Sequence, residues 1–161
     1  RIAMRPKEPP TVVVLSRQNL PVIPQTKELA EAGVAKGGYV LSEQQGEKPE
    51  GILIATGSEV NLAIKAQNSL REQGKDVSVV SIPSFDLFNR QSPEYQESVL
   101  PKDVKKRVSV EMGSSFGWER YVGDHGAMIA IDTFGASAPG ETVIREYGFT
   151  VENVISIFNA L

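Results

Sequence analysis

Cysteine is absent from the 161 residues, and histidine occurs once. The first absence excludes a disulfide framework and any thiolate metal site, and the second excludes a His-rich zinc site within one chain. A large net charge is also absent: 17 Lys and Arg against 20 Asp and Glu give a formal net charge of -3. That balance argues against a sequence-blind nucleic-acid binder. The densest basic run, KDVKKR over residues 102–107, is short and contains Asp103, and it reads as a solvated segment ahead of a strand. No apolar run approaches the ~20 residues of a membrane span, and no signal-peptide pattern leads the chain. The expectation is a reducing, cytoplasmic setting with neither membrane nor nucleic acid as partner.

What is present is ordinary for a globular chain: 40% hydrophobic and 23% charged residues. The length suits one domain with a core and a piece of another. The sequence begins at Arg1 without Met, and a Pro-rich lead, RPKEPP, precedes the first apolar run, so it reads as cut out of something longer. That run, VVVL over 12–15, predicts a strand buried on both faces. Ser16, Arg17, Gln18 and Asn19 follow it directly. In open α/β sheets ligands sit beyond the carboxyl ends of strands, so Arg17 would hold either a planar anion there or an acid of a neighbouring domain.

From Gly37 onward strands and helices alternate. Short apolar runs predict strands at 39–41, 52–55, 77–82 and 127–131, and Val108, Val110 and Met112 predict another. TGSE (56–59) reads as a turn into a helix, with the Thr-x-x-Glu spacing of a capping box. Val60, Ala63, Ile64, Gln67 and Leu70 form one stripe of that helix, which Gly74 stops. A short helix is expected over 94–99. Pro139 would open another helix at its first position and Gly148 would end it. Val151, Val154, Ile155, Phe158 and Leu161 give the last helix an apolar face. The alternation implies a mostly parallel sheet covered on both sides. Residues 42–50 read as a surface loop.

Several residues carry possible chemistry. Gly57 and Ser58 in the TGSE turn could receive an anion at a helix start, but neither a G-x-G-x-x-G nor a Walker lysine motif is present. His125, between Gly123 and Gly126, is the one imidazole and reads as a turn residue. Gly123-Asp124 with Asn153 loosely echoes a Gly-Asp-Gly…Asn cofactor signature, but His125 replaces the second glycine and Asn153 reads as a solvent-facing residue of the last helix, so no magnesium site is assigned. Among Asp86, Asp132, Glu111 and Glu119, Glu111 is best placed, at a strand end, and is read as structural. Trp118 and Tyr121 are expected to pack together on a short helix.

Eight segments in order resemble the C-terminal region of a transketolase: LSRQNLP (15–21), GGYVL (37–41), ILIATGSEV (52–60), VVSIPSFDLFNRQ (79–91), ESVLP (97–101), VEMGSSFGWERYVG (110–123), TFGASAP (133–139) and YGFTVENV (147–154). Related thiamine enzymes share the fold of the last domain but not this wording. The resemblance implies that residues 1–36 are the tail end of a pyrimidine-binding domain plus linker. It implies that residues 37–161 are the C-terminal domain, a three-layer α/β/α unit with a five-stranded, mostly parallel mixed sheet. Arg17 matches the arginine that grips the substrate phosphate. The implied activity is transfer of a two-carbon ketol unit from a ketose phosphate to an aldose phosphate, in the pentose phosphate pathway. Thiamine diphosphate with Mg²⁺ or Ca²⁺ is the implied cofactor, and the implied assembly is a homodimer with the remaining transketolase domains. The activating glutamate, metal ligands and channel histidines belong to earlier domains, so the chain alone is expected to be inactive, with no catalytic, cofactor or metal residue of its own. The alternative is a stand-alone regulatory module binding an anion or nucleotide at Gly57 and Ser58. A natural half-enzyme is argued against by the isolated strand at 12–15.

Overall fold

The computed structural model describes residues 10–16 and 18–161. Five strands, β1 (Tyr39–Ser42), β2 (Gly51–Ala55), β3 (Val77–Ser81), β4 (Arg107–Val110) and β5 (Ala127–Ile129), form one sheet in the order β1-β3-β2-β4-β5. β1 runs antiparallel to β3, and the other pairings are parallel. The helices are α1 (Thr26–Lys36), α2 (Glu59–Glu72), α3 (Phe85–Asn89), α4 (Pro93–Val99), α5 (Glu119–Val122), α6 (Gly140–Glu146) and α7 (Val151–Ala160).

Every residue of β2 and β3 is buried, as expected for central parallel strands covered on both faces. Strand alternation sends Leu53, Ala55, Val77, Val79, Val108 and Val110 to one side, where Ala63, Leu70, Val154 and Phe158 of α2 and α7 close over them. Ile52, Ile54, Val80 and Ile82 face the other way, against Phe88, Val99, Tyr121 and Val122 of α3, α4 and α5. The outcome is the expected three-layer α/β/α unit with a mixed sheet. α1 seats against β1, where buried Gly33 lets the Tyr39 ring come so close that a Cβ would lie 2.3 Å from it. No helix among the described residues is long and apolar enough to cross a membrane.

Several expectations need correction. Residues 12–15 form no strand, and Val12, Val13, Val14 and Leu15 are between 65% and 91% exposed. A strand needs a neighbour to accept its backbone hydrogen bonds, and the ordered sheet offers this run none. The capping box at Thr56 is not made. α2 starts at Glu59 with Ser58 as N-cap, and Ser58 Oγ donates to the Glu59 carboxylate instead (2.6 Å). Pro139 stands at the N-cap of α6 rather than inside it. β5 ends at Ile129, two residues early. Asn153 is not a free surface residue: its Nδ2 donates to Gly148 O (2.8 Å), and its backbone N–H donates to Thr150 Oγ1 (3.2 Å). Helices α1 and α3 are additions. The apolar Leu29 and Val34 of α1 stay about two-fifths exposed, so its stripe is weak, and α3 is short, with Ser84 Oγ accepting from Leu87 N–H at its start.

Candidate functional site at the carboxyl edge of the sheet

Parallel strands place the residues that follow them along one edge. Ala55 of β2 lies opposite Val110 of β4, so the turn 56–58, the start of α2 and Glu111 are brought together there. A cleft of about 440 Å³ opens at this edge. Ser58, Glu59 and Lys65 of the α2 region and Met112 form one wall, Ile144 and Phe149 another, and Gln18, Asn19, Leu20 and Pro21 a third. Residues 18–21, which follow Arg17, thus reach the carboxyl edge of this sheet, while Arg17 itself lies outside the described residues. Ile23 packs against the core, and its carbonyl accepts from Thr26 N–H (3.0 Å) and Thr26 Oγ1 (2.6 Å).

Two acids dominate the electrostatics of this edge. Glu59 is only 5% exposed, and its carboxylate accepts from Ser58 Oγ (2.6 Å). Burial raises its pKa, against the opposing effect of hydrogen bonding. Glu111 is pushed up to about 7, first by burial and then by the nearby Glu59 charge. Its Oε2 is buried and has no hydrogen-bond partner. The turn carrying Gly57 and Ser58 is therefore a poor anion receptor: Glu59 N–H is spent on Thr56 O (3.2 Å), Ser58 Oγ on the Glu59 carboxylate, and Glu111 adds a second acid nearby. This pairing was the feature sequence reasoning missed. The signal available was that each acid follows one of two strands that turn out to be neighbours.

Above the same edge, Asp132 ties two loops together. Its Oδ1 accepts from Ser114 Oγ (3.0 Å) and Ser115 N–H (2.9 Å), and Glu119 accepts from Gly117 N–H (2.8 Å). The loops present Phe116 and Phe134, 87% and 99% exposed. Asp86 instead pairs with Arg90 on α3 and the residue after it.

His125 lies at the opposite edge, beside the amino ends of β4 and β5, in a recess lined by Lys102, Lys105, Arg107 and Asp124. The sheet separates it from the cleft, so it serves no acid–base chemistry with the residues around Arg17. Within KDVKKR, Val104 is buried and Arg107 is half-buried, while Lys102, Asp103 and Lys105 are exposed. Arg107 donates to the carbonyls of Val104, Tyr121, Leu100 and Pro101, a clamp on the loop rather than a ligand site. Trp118 and Tyr121 do pack together, 6.1 Å between ring centroids, and are buried with Phe85, which removes them as sugar-stacking platforms. Asp124 and Asn153 stand at opposite edges, Asp124 among cations and Asn153 spent on Gly148, so these residues do not fit magnesium or a diphosphate. No group of three or more metal-ligating acids or histidines occurs among the described residues.

Residues 37–150 match the family model described as the transketolase-like TK C-terminal domain. The chain is 57% identical over its full length to the transketolase of Bacillus subtilis and 53% identical to that of Geobacillus stearothermophilus. It spans only 24% of the length of each of these relatives. Among solved structures, a Pichia stipitis transketolase in complex with sedoheptulose-7-phosphate superposes with a TM-score of 0.72 at 39% identity, covering 80% of this chain and 18% of that one. The three-layer architecture, the family match over most of the chain and these identities agree, and the chain belongs to the transketolase C-terminal domain family.

Proposed function

We propose that this chain acts as the C-terminal portion of a transketolase, which moves a two-carbon ketol unit from a ketose phosphate to an aldose phosphate. Residues 1–36 are the end of the pyrimidine-binding domain and its linker, with α1 as the part of the linker seated on β1. Residues 37–161 are the C-terminal domain, which supports the homodimer of a cytoplasmic enzyme of the pentose phosphate pathway. The observation that carries this reading is identity above 50% over the whole chain with transketolases four times its length.

Thiamine diphosphate, held with Mg²⁺ or Ca²⁺, supplies the carbanion chemistry when bound to the complete enzyme. The described residues, with Asp124 and Asn153 at opposite edges of the sheet, do not fit that group. What this chain contributes is Arg17, in SRQNLP, whose rigid guanidinium fork suits a phosphate dianion. Gripping the phosphate, remote from the reacting carbonyl, orients the sugar and offsets the entropy of binding.

The test is Arg17→Ala in the complete enzyme. Losing a charge-assisted hydrogen bond of about 1.5–3 kcal/mol raises KM for phosphorylated substrates at least about tenfold, while kcat falls less. Steady-state kinetics with a phosphorylated and an unphosphorylated ketol donor measure this. An unchanged KM for the phosphorylated donor removes Arg17 from the role.

A further inference from the structure

We propose that Phe116 and Phe134 are the anchors by which this domain docks on the body of the enzyme that precedes it, with Asp132 holding both of their loops in place. The inference rests on residues 1–36 being the end of the pyrimidine-binding domain and its linker, and it names where the two domains meet.

The loops that follow β4 and β5 leave the carboxyl edge side by side. Gly113 O accepts from Ile131 N–H (2.7 Å), and Asp132 Oδ1 then accepts from both Ser114 Oγ and Ser115 N–H. Phe116 N–H donates to Ser114 Oγ (3.2 Å), and Phe134 O accepts from the Tyr147 hydroxyl (2.8 Å). Both backbones are thus tied down while both rings stay almost wholly exposed. A single exposed apolar side chain is ordinary, but here two phenylalanines stand out on loops bonded to one another. Covering them removes about 300–500 Å² from water. That is a large share of the roughly 600–1,500 Å² in an interface between domains of one chain, enough for the two rings to anchor it.

The covalent tether decides what covers them. Gln18, Asn19, Leu20 and Pro21 line the cleft together with Met112, the residue before Gly113. Leu15 precedes Gln18 by three residues, at most about 11 Å of chain, and Met112 precedes Phe116 by four, at most about 14 Å. Whatever takes up the exposed apolar run 12–15 therefore sits over the carboxyl edge, next to the loops that carry the rings. Exposed Leu20 and Val22 continue the apolar surface of this lead-in. A second copy of the chain would have to reach the same edge past that tethered body.

Photo-crosslinking in the complete enzyme tests the interface, with p-benzoylphenylalanine replacing Phe116 in one preparation and Phe134 in another. Irradiation is expected to join either position to the polypeptide upstream of residue 18, within one chain, so that the product keeps the monomer mass on a denaturing gel. A product of doubled mass assigns the rings to a partner subunit, and adducts confined to residues 37–161, or none, mean that the preceding domain does not cover them; each overturns the proposal. Asp132→Ala should lower the yield at both positions together, and Asp132→Asn, which keeps an acceptor oxygen, should restore it. Yields that Asp132→Ala leaves unmoved take Asp132 out of the role. Ketol transfer by the same preparations tests the transketolase reading separately: an active enzyme without upstream adducts loses this interface and keeps its function.

Discussion

Gln67 sits in the middle of the apolar stripe of α2 with no exposed surface, and every part of its amide is used. Its Oε1 accepts from Ser42 Oγ (2.7 Å), and its Nε2 donates to Val77 O (2.7 Å) and more weakly to Ser42 O (3.3 Å). One side chain thus joins β1, β3 and α2. Gln67→Leu keeps the volume but strands the Ser42 hydroxyl and the Val77 carbonyl, so a loss of about 1–3 kcal/mol is expected in urea unfolding. Adding Ser42→Ala should recover part of it, a non-additivity that separates the hydrogen bonds from simple packing. The helical spacing placed Gln67 toward the sheet, but its partners are strand residues brought near only by the fold, and spacing alone does not name them. The same reason hid the Glu59–Glu111 pair: Glu111 could be placed at a strand end, but which acid lay beside it depended on strand order.

Elements with their own periodicity were the most legible. The stripe of α7 is found with Val154 and Phe158 buried, although Leu161 at its end stays exposed. The runs at β2 and β3 are found buried along their whole length. Residues 12–15 were apolar enough to be a strand, yet apolarity states only that a run should be covered, not that a partner is at hand. Capping failed for a related reason: Thr56 and Glu59 had the right spacing, but the Glu59 carboxylate met the better-placed donor of Ser58. The seating of α7 on the sheet depends on Gly51, where a Cβ would lie 2.4 Å from Phe158 Cε2 and 2.6 Å from Lys106 O. The ring could turn aside, but the carbonyl belongs to the strand ladder, where Ile52 N–H donates to it (2.9 Å). Gly51→Ala is therefore expected to cost about 1–3 kcal/mol, seen as a lowered Tm in calorimetry. Gly74→Ala serves as the contrasting control. At Gly74 no atom would meet the new Cβ, and the φ of +77° sets the penalty instead, about 1 kcal/mol.

For the molecule as a whole, the alternation of strands and helices was enough to give the layers, and the antiparallel β1 completes the mixed sheet the resemblance implied. Function was legible only through wording such as SRQNLP and SFGWERYVG, because the residues around the carboxyl-edge cleft carry no reactive constellation. Its wall offers amides, a lysine, a buried acid and apolar side chains, while the one histidine stands at the other edge. Proton transfer in ketol chemistry needs a base within hydrogen-bond reach of the substrate, and the fold keeps His125 from supplying it there. Glu111, with its pKa pushed up to about 7, has a suitable proton affinity, but its Oε2 is buried rather than presented to a ligand. The chain by itself is thus expected to transfer no ketol unit between sugar phosphates when thiamine diphosphate and Mg²⁺ are added, and to show no saturable heat with either in calorimetry. The complete enzyme, assayed alongside, provides the reference rate. Turnover by the isolated chain would mean that its own residues assemble a cofactor site, and a packing domain that carries a phosphate-gripping arginine would no longer describe it.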